Sequence, residues 1–335
     1  MDTQVRKQNK LVIACLVCLL SIALLLGILL FAGQDLWAQG PSSGGTQTEQ
    51  ESDITSETDE SLTSETETEI ESETETETEE IIEPEKELTY LETWELDYVE
   101  PPVIRNYEEV LAKIKEYSQW FPILHHVYDN HEQYDPSLLA ALAGNPEMAD
   151  FCYGVLHREA TVTGGFTEEE LSAYHPLLLQ WDIRWGYMMY GNSGSNMGGA
   201  GCGPTCLSMA ALYLTGDATQ TPDAVARYSM DNGHYVTNVG TAWALMIEYP
   251  KSIGLTGRYI SWSEAKLKAE LDKGNVIICS VRPGDFTSGG HFILIHAYDE
   301  NGFKVNDPKC IYRSRLTWTY DQIKDDIKQA WSIGK

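Results

Sequence analysis

The stretch "GGAGCGPTCLSMAALYLTG", Gly198 to Gly216, constrains the fold more than any other part of the chain. Pro204 and Thr205 suit a first helical turn, and Cys206, Leu207, Met209, Ala210 and Leu214 suit a buried face. Gly216 suits the C-cap that ends it. This places Cys202 at or just before a helix N-terminus, where backbone N–H groups and the positive end of the dipole favour a thiolate. Cys206 falls one turn later, as a core residue. A disulfide between the two is disfavoured, because both side chains run along one helix axis. Gly201 and Gly203 leave room for another backbone or a substrate to approach. Position therefore marks Cys202 as a candidate nucleophile.

A nucleophilic thiol needs a base, and the base needs an orienting partner. Two apolar, branched runs, "NVIICSVR" (275–282) and "HFILIHAYD" (291–299), read as strands. "ENG" at Glu300–Gly302 reads as a turn and "FKVNDPK" as the return strand. His291 and His296 lie five positions apart, so they point to opposite faces of their strand. His291 stands at the strand's mouth after "SGG", whereas His296 lies within the strand and reads as structural. Asp307, before Pro308, is the candidate third member. Counting back from a tight turn sets Asp307 opposite His296 and several residues from His291, and a bulge would be needed to restore the match. The residues alone leave the choice of histidine open.

Between Gly216 and Ser263 the pattern gives two more helices, "TPDAVARYSM" from a Thr221 cap and "GTAWALMIEY" after Gly240. A short strand "GRYI" follows, then a helix "SWSEAKLKAEL" with a capping-box pattern at Ser261 and Glu264. Helices first and an antiparallel sheet afterwards imply an α+β class with a cleft between the layers. Upstream, residues 89–174 read as a helical prefix. Val110, Ile114 and Tyr117 recur at helical spacing, Asp135 caps a helix with Pro136 first, and Gly144-Asn145-Pro146 breaks it before a short helix near Met148–His157. His125 and His126 are neighbours on a helix, face apart, and make no pair. Trp181, Trp185, Tyr187 and Tyr190 fit either a substrate cleft or an aromatic core. Cys152, Cys279 and Cys310 leave room for one disulfide.

The first 88 residues are of another kind. Residues 11–32, "LVIACLVCLLSIALLLGILLFA", carry no charge, and a helix of that length crosses a bilayer core. Arg6, Lys7 and Lys10 in the 1–10 tail precede it, so the positive-inside tendency puts the bulk of the chain outside the cell. Length favours an uncleaved anchor over a signal peptide cut after "LWA". Residues 33–88 form a Ser/Thr/Glu-rich tract with fourteen acids and no base between Glu51 and Glu80, half of the net charge of −28. Self-repulsion and the lack of apolar residues predict a disordered stalk. The remaining 81–335 carry 34 acids against 20 bases, and no basic patch points to nucleic acid.

The ensemble "QWDIRWGYMMYG…GCGPTC…GGHFILIHAYDENGFKVNDPK" resembles the papain-like cysteine peptidases of the bacteriocin-processing family. It is closest in pattern to their stand-alone branch, the C thirty-nine-like proteins of Gram-positive surfaces. The resemblance runs from Leu177 to the C-terminus, within a domain set at 175–335. It implies a papain-like fold and cleavage of a peptide or amide bond through a thioester, on a peptide or cell-wall peptide substrate. It places the nucleophile on Cys202, the base on His291, the orienting acid on Asp307 and an oxyanion-hole amide on Gln180. Neither a metal nor an organic cofactor is implied. Gln180 lies far upstream of Cys202 across the insertion "YGNSGSNMGGA", whereas the processing enzymes keep the two close. No transporter segment accompanies the domain. A zinc site from Cys202, Cys206, His291 and His296 competes on ligand type, but the histidines face apart and the cysteines lack a loop knuckle. A non-catalytic binding module on the same fold is the other alternative, and its hallmark would be a lost triad member.

Overall fold

A computed structural model describes residues 96–335 apart from Ser193. The tail, the apolar run 11–32 and the Ser/Thr/Glu tract 33–88 lie outside the described residues. Among the described residues no helix is long and apolar enough to cross a membrane. The prefix supplies α1 (Tyr107–Tyr117), α2 (Leu124–Asp129), α3 (Pro136–Gly144), α4 (Ala149–His157) and the short α5 (Glu168–Ser172). In α1, Val110, Ile114 and Tyr117 face inward at the expected spacing, and Asn106 with Glu109 forms a capping box. Asp135 accepts the Ser137 N–H and Pro136 opens α3, as the sequence implied. His125 and His126 are both exposed.

The second half opens with the one-turn α6 (Met197–Ala200), then α7 (Cys202–Thr215) and α8 (Pro222–Asp231). Gly216 takes the left-handed C-cap at φ 69° that only glycine adopts freely. A two-stranded ribbon of β1 (Tyr235–Val236) and β2 (Gly240–Thr241) precedes α9 (Leu245–Ser252). The ribbon displaces the expected helix start from Gly240 to Leu245. Then come β3 (Thr256–Ile260), α10 (Glu264–Leu271), β4 (Val276–Val281), β5 (His291–Asp299) and β6 (Gly302–Asn306). The chain ends through α11 (Ile311–Arg315), β7 (Thr317–Trp318), α12 (Tyr320–Ile323) and β8 (Ile327–Gly334). The capping box expected at Ser261 and Glu264 does not form. Helix α10 begins at Glu264 with Ser263 as its cap residue, so Ser261 lies two positions before the cap and Glu264 is N1 rather than N3.

The sheet is antiparallel in the order β3-β8-β4-β5-β6-β7. All six residues of β4 are buried, and they alternate between two cores. Val276 and Ile278 join Cys206, Leu207, Met209 and Ala210 of α7, with Phe292 and Leu294 of β5. Ile277, Cys279 and Val281 pack on the opposite face with Leu267, Ile293, Ile295 and Phe303. Helices on one side of an antiparallel sheet, with α10 on the other, give the α+β class.

The prefix shares a core with residues downstream of it. Val110, Ile114, Leu139, Phe151 and Cys152 pack in one cluster with Leu179, Trp181, Tyr187 and Ile311. Trp185 joins the α7 core and Tyr190 a smaller cluster with Met197 and Ala226, so all four aromatics of this segment are core residues. Cys152, Cys206, Cys279 and Cys310 are buried free thiols, and no disulfide forms among the described residues.

Candidate active site

Cys202 is the first residue of α7, with Gly201 as the cap residue. Two glycines make the position possible. A Cβ on Gly198 would lie 2.1 Å from Phe151 of α4, and one on Gly203 would lie 2.7 Å from Thr241 of β2, far inside contact distance. The glycine-rich approach thus lets the prefix and the ribbon close on the start of α7.

His291 opens β5 opposite Val281 of β4. The register of β5 with β6 decides which histidine meets Asp307 and corrects the simple count. Asp299 pairs with Gly302 and Leu294 with Asn306, with a bulge between Ile295 and Ala297. His296 is the residue left without a partner. Unbroken pairing would set Asp307 opposite Leu294, on the face of Phe292. The bulge moves it one step along, in line with Ile293 and on the face of His291. Asp307 Oδ1 consequently meets His291 Nε2 at 2.7 Å, both buried. That leaves Nδ1 for the hydrogen bond between His291 and the Cys202 thiol. His296 lies elsewhere, its ring 4.6 Å from that of His175, which in turn stacks 4.3 Å from Tyr213 near the far end of α7. No group of three His, Cys, Asp or Glu side chains is placed to hold a metal among the described residues.

The charges are set by this geometry. Burial would push the Cys202 thiol up, but the His291 hydrogen bond and charge, the Phe292 N–H and Lys309 together hold it below the ordinary thiol value. Burial would likewise depress His291, yet the charge and hydrogen bond of Asp307, with Cys202, raise it to about 9. Asp307 is fully buried, but Arg313 and His291 hold its carboxyl well below the usual carboxylate range. Arg313 Nε donates to Asp307 Oδ2 at 2.7 Å, and the Lys309 N–H donates to Oδ1 at 2.9 Å. The arrangement therefore favours thiolate and imidazolium together, over a carboxylate that is itself neutralised from behind. By contrast, burial pushes Cys206 well up, as its place in the α7 core requires.

Gln180 occupies the floor between the two halves of the site. Its main-chain N–H donates to Pro308 O and its Nε2 donates to Gly198 O, both at 2.7 Å. It is buried, and its Oε1 has no partner. Gln180 thus ties the loop before Cys202 to the loop after Asp307, and it does not line the open cleft.

Four residues without a signal in the sequence complete the arrangement. Arg313 and Lys309 act as described. From the prefix, Asn145 donates to Lys309 O at 2.7 Å. Glu147 accepts the main-chain N–H groups of Ile311 at 2.7 Å and Tyr312 at 2.8 Å, capping α11 with a carboxyl from another part of the chain. In the sequence, Asn145-Pro146-Glu147 reads only as a helix break. Nothing local signals that it closes on residues more than 160 positions away.

Residues 176–334 match the peptidase C39-like family. The chain carries a peptidase C39-like domain. No curated protein matches the chain. Cys202, His291, Asp307 and Gln180 all fall within the peptidase C39-like domain, whereas Asn145 and Glu147 lie upstream of it. The loop from Asp307 to Arg313 is therefore held from outside the domain that contains it.

Proposed function

We propose that the chain is a cysteine peptidase of papain-like fold, with Cys202 as nucleophile, His291 as acid and base, and Asp307 as the residue that orients the ring. The observation that carries this reading is the chain of contacts from Asp307 through His291 to a thiol of lowered pKa at the start of α7. A cleft of about 660 Å³ opens on Cys202 and His291, flanked by Tyr235, Val239, Trp243 and Arg282.

The Cys202 thiolate attacks a peptide carbonyl carbon, and the C=O electrons move onto oxygen. The Cys202 N–H at the start of α7 is the donor available to that oxyanion, worth about 3 kcal/mol in comparable sites, while Gln180 braces the loop before Cys202 from below through Gly198 O. The C–N bond breaks as the His291 imidazolium gives its proton to the departing amine. A thioester remains. Water then adds to it, losing a proton to His291, and the carboxylic acid product leaves as the thiolate returns. Asp307 keeps the ring in one tautomer throughout.

Anchoring to a membrane with the peptidase outside the cell is part of the same proposal. It is supported by the uncharged run 11–32 behind Arg6, Lys7 and Lys10, and by the acidic tract as a spacer. Burial of the other described cysteines suits an oxidising surround. The test is iodoacetamide labelling at mildly acidic pH, followed by peptide mapping. Cys202 is expected to be labelled far ahead of Cys206, and Cys202→Ala to abolish cleavage of a mixed peptide library. Cleavage surviving that substitution would overturn the assignment.

A further inference from the structure

A second cavity, of about 510 Å³, lies beside the catalytic cleft and shares Ser137, Gly199 and Gly289 with it. The prefix contributes Arg105 and Asn145 to its wall, and the loop after Asp307 contributes Lys309 and Arg313. No Asp or Glu lines it, in a chain with 51 acids against 23 bases. Its three cations are differently employed. Arg105 is paired with Glu100 at 2.8 Å. Arg313, with 4% of its side chain exposed, spends Nε on Asp307, while its buried Nη1 has no partner. The Lys309 ammonium has neither a hydrogen bond nor an ion pair among the described residues, although its main chain is fixed on three sides. Burial and the neighbouring Arg313 charge lower its pKa, and an anion in the cavity would offset both.

A half-buried ammonium without a partner and a buried guanidinium Nη1 without one, on two residues that line the same cavity, call for an anion between them. We infer that this cavity is a carboxylate subsite that holds the free α-carboxylate of the peptide fragment leaving the scissile bond. Lys309 is its counter-ion, with Arg313 Nη1 behind. This rests on the catalytic reading, because the side is set by chemistry. His291 protonates the departing amine, and Lys309 and Arg313 come directly after the partner of His291 in the chain. The fragment that leaves on that side carries the peptide's own C-terminal carboxylate, which reaches this cavity only when the scissile bond is close to that end. On this reading the prefix is half of the specificity pocket, and the protein removes short C-terminal pieces in preference to cutting within long chains.

The test measures binding without the thiol. The full chain carrying Cys202→Ala is titrated calorimetrically with the dipeptide Ala-Ala and with Ala-Ala amide. The free acid is expected to bind at least tenfold more tightly. Lys309→Gln in the same background should erase the preference, and Lys309→Arg should retain it, each checked for native far-ultraviolet dichroism. Equal affinity for acid and amide, or a preference unchanged in Lys309→Gln, overturns the subsite. Because the readout needs no catalysis, failure of the nucleophile assignment would show separately in the labelling of Cys202.

Discussion

Asp307→Asn tests the electrostatics of the site more directly than removal of the thiol. The carboxylate lifts His291 from 6.5 to about 9 against burial. Such a shift corresponds to roughly 3 kcal/mol of preference for the imidazolium. Asparagine keeps the shape and one acceptor but removes the charge. Only the Cys202 contact then opposes burial, and the midpoint should fall toward 6.5, read from the ring signals by NMR. With a neutral ring the Cys202 thiol returns toward its ordinary value of 9.0 or higher. At pH 6 such a thiol is about one part in a thousand thiolate, partly offset by the greater intrinsic nucleophilicity of a more basic sulfur. Iodoacetamide labelling at pH 6 should therefore slow at least tenfold. The substitution also strands the Arg313 cation, at a cost of about 3–5 kcal/mol, so both measurements belong well below the melting temperature. Adding Arg313→Gln should recover part of the stability and none of the reactivity. The raised His291 value sets a pH window as well. Its stabilisation is complete below 6.5 and is lost as pH rises through about 9, so a fall in Tm across that window should vanish in the variant. An unchanged His291 midpoint, or labelling at the wild-type rate, would refute the reasoning.

Two further outcomes rest on contacts outside the triad. Glu147→Ala removes the acceptor for two buried N–H groups at the start of α11 and should cost about 3 kcal/mol in chemical denaturation, with slower Cys202 labelling as the Asp307–Arg313 loop loosens; wild-type stability would mean the cap contributes nothing. Burial, with His175 and Lys304, pushes His296 down to about 4, so folding stability should drop as pH falls from 6.5 through 4, by up to about 3 kcal/mol. His296→Ala should flatten that fall and cost about 1–3 kcal/mol at neutral pH while Cys202 labelling persists, and loss of labelling in that variant would contradict the register.

What the sequence made legible was local. The start and stop of α7, the cap of α3 and the existence of strand β4 depend on residues within a few positions of each other, and each is written in residue types. The α+β order comes from summing such signals. The boundaries that moved did so for tertiary reasons, as when the ribbon before α9 displaced a helix start that propensity alone would put at Gly240. The histidine could not be chosen from the residues, because one bulge at His296 decides which face Asp307 occupies. Nothing in "ILIHAYD" announces that bulge. The resemblance to a known family supplied His291, and the register gives the physical reason.

The prefix marks the limit of local reading most clearly. Its helices look self-sufficient in sequence, with their own caps and apolar faces, and read only as a helical prefix. Yet Phe151 fills the space above Gly198, Asn145 fixes the main chain of Lys309, and Glu147 caps the helix that carries Arg313. Arg313 neutralises Asp307, and Asp307 charges His291. The charge state of the Cys202 thiol thus depends, through four consecutive contacts, on a carboxyl some 55 positions upstream that no pattern near Cys202 could reveal. A peptidase C39-like domain cut at residue 176 would keep every triad residue and lose the support of the loop that orients them. The prefix is therefore part of the same packed unit as the proposed site, and the family match covers only the part that carries Cys202, His291 and Asp307.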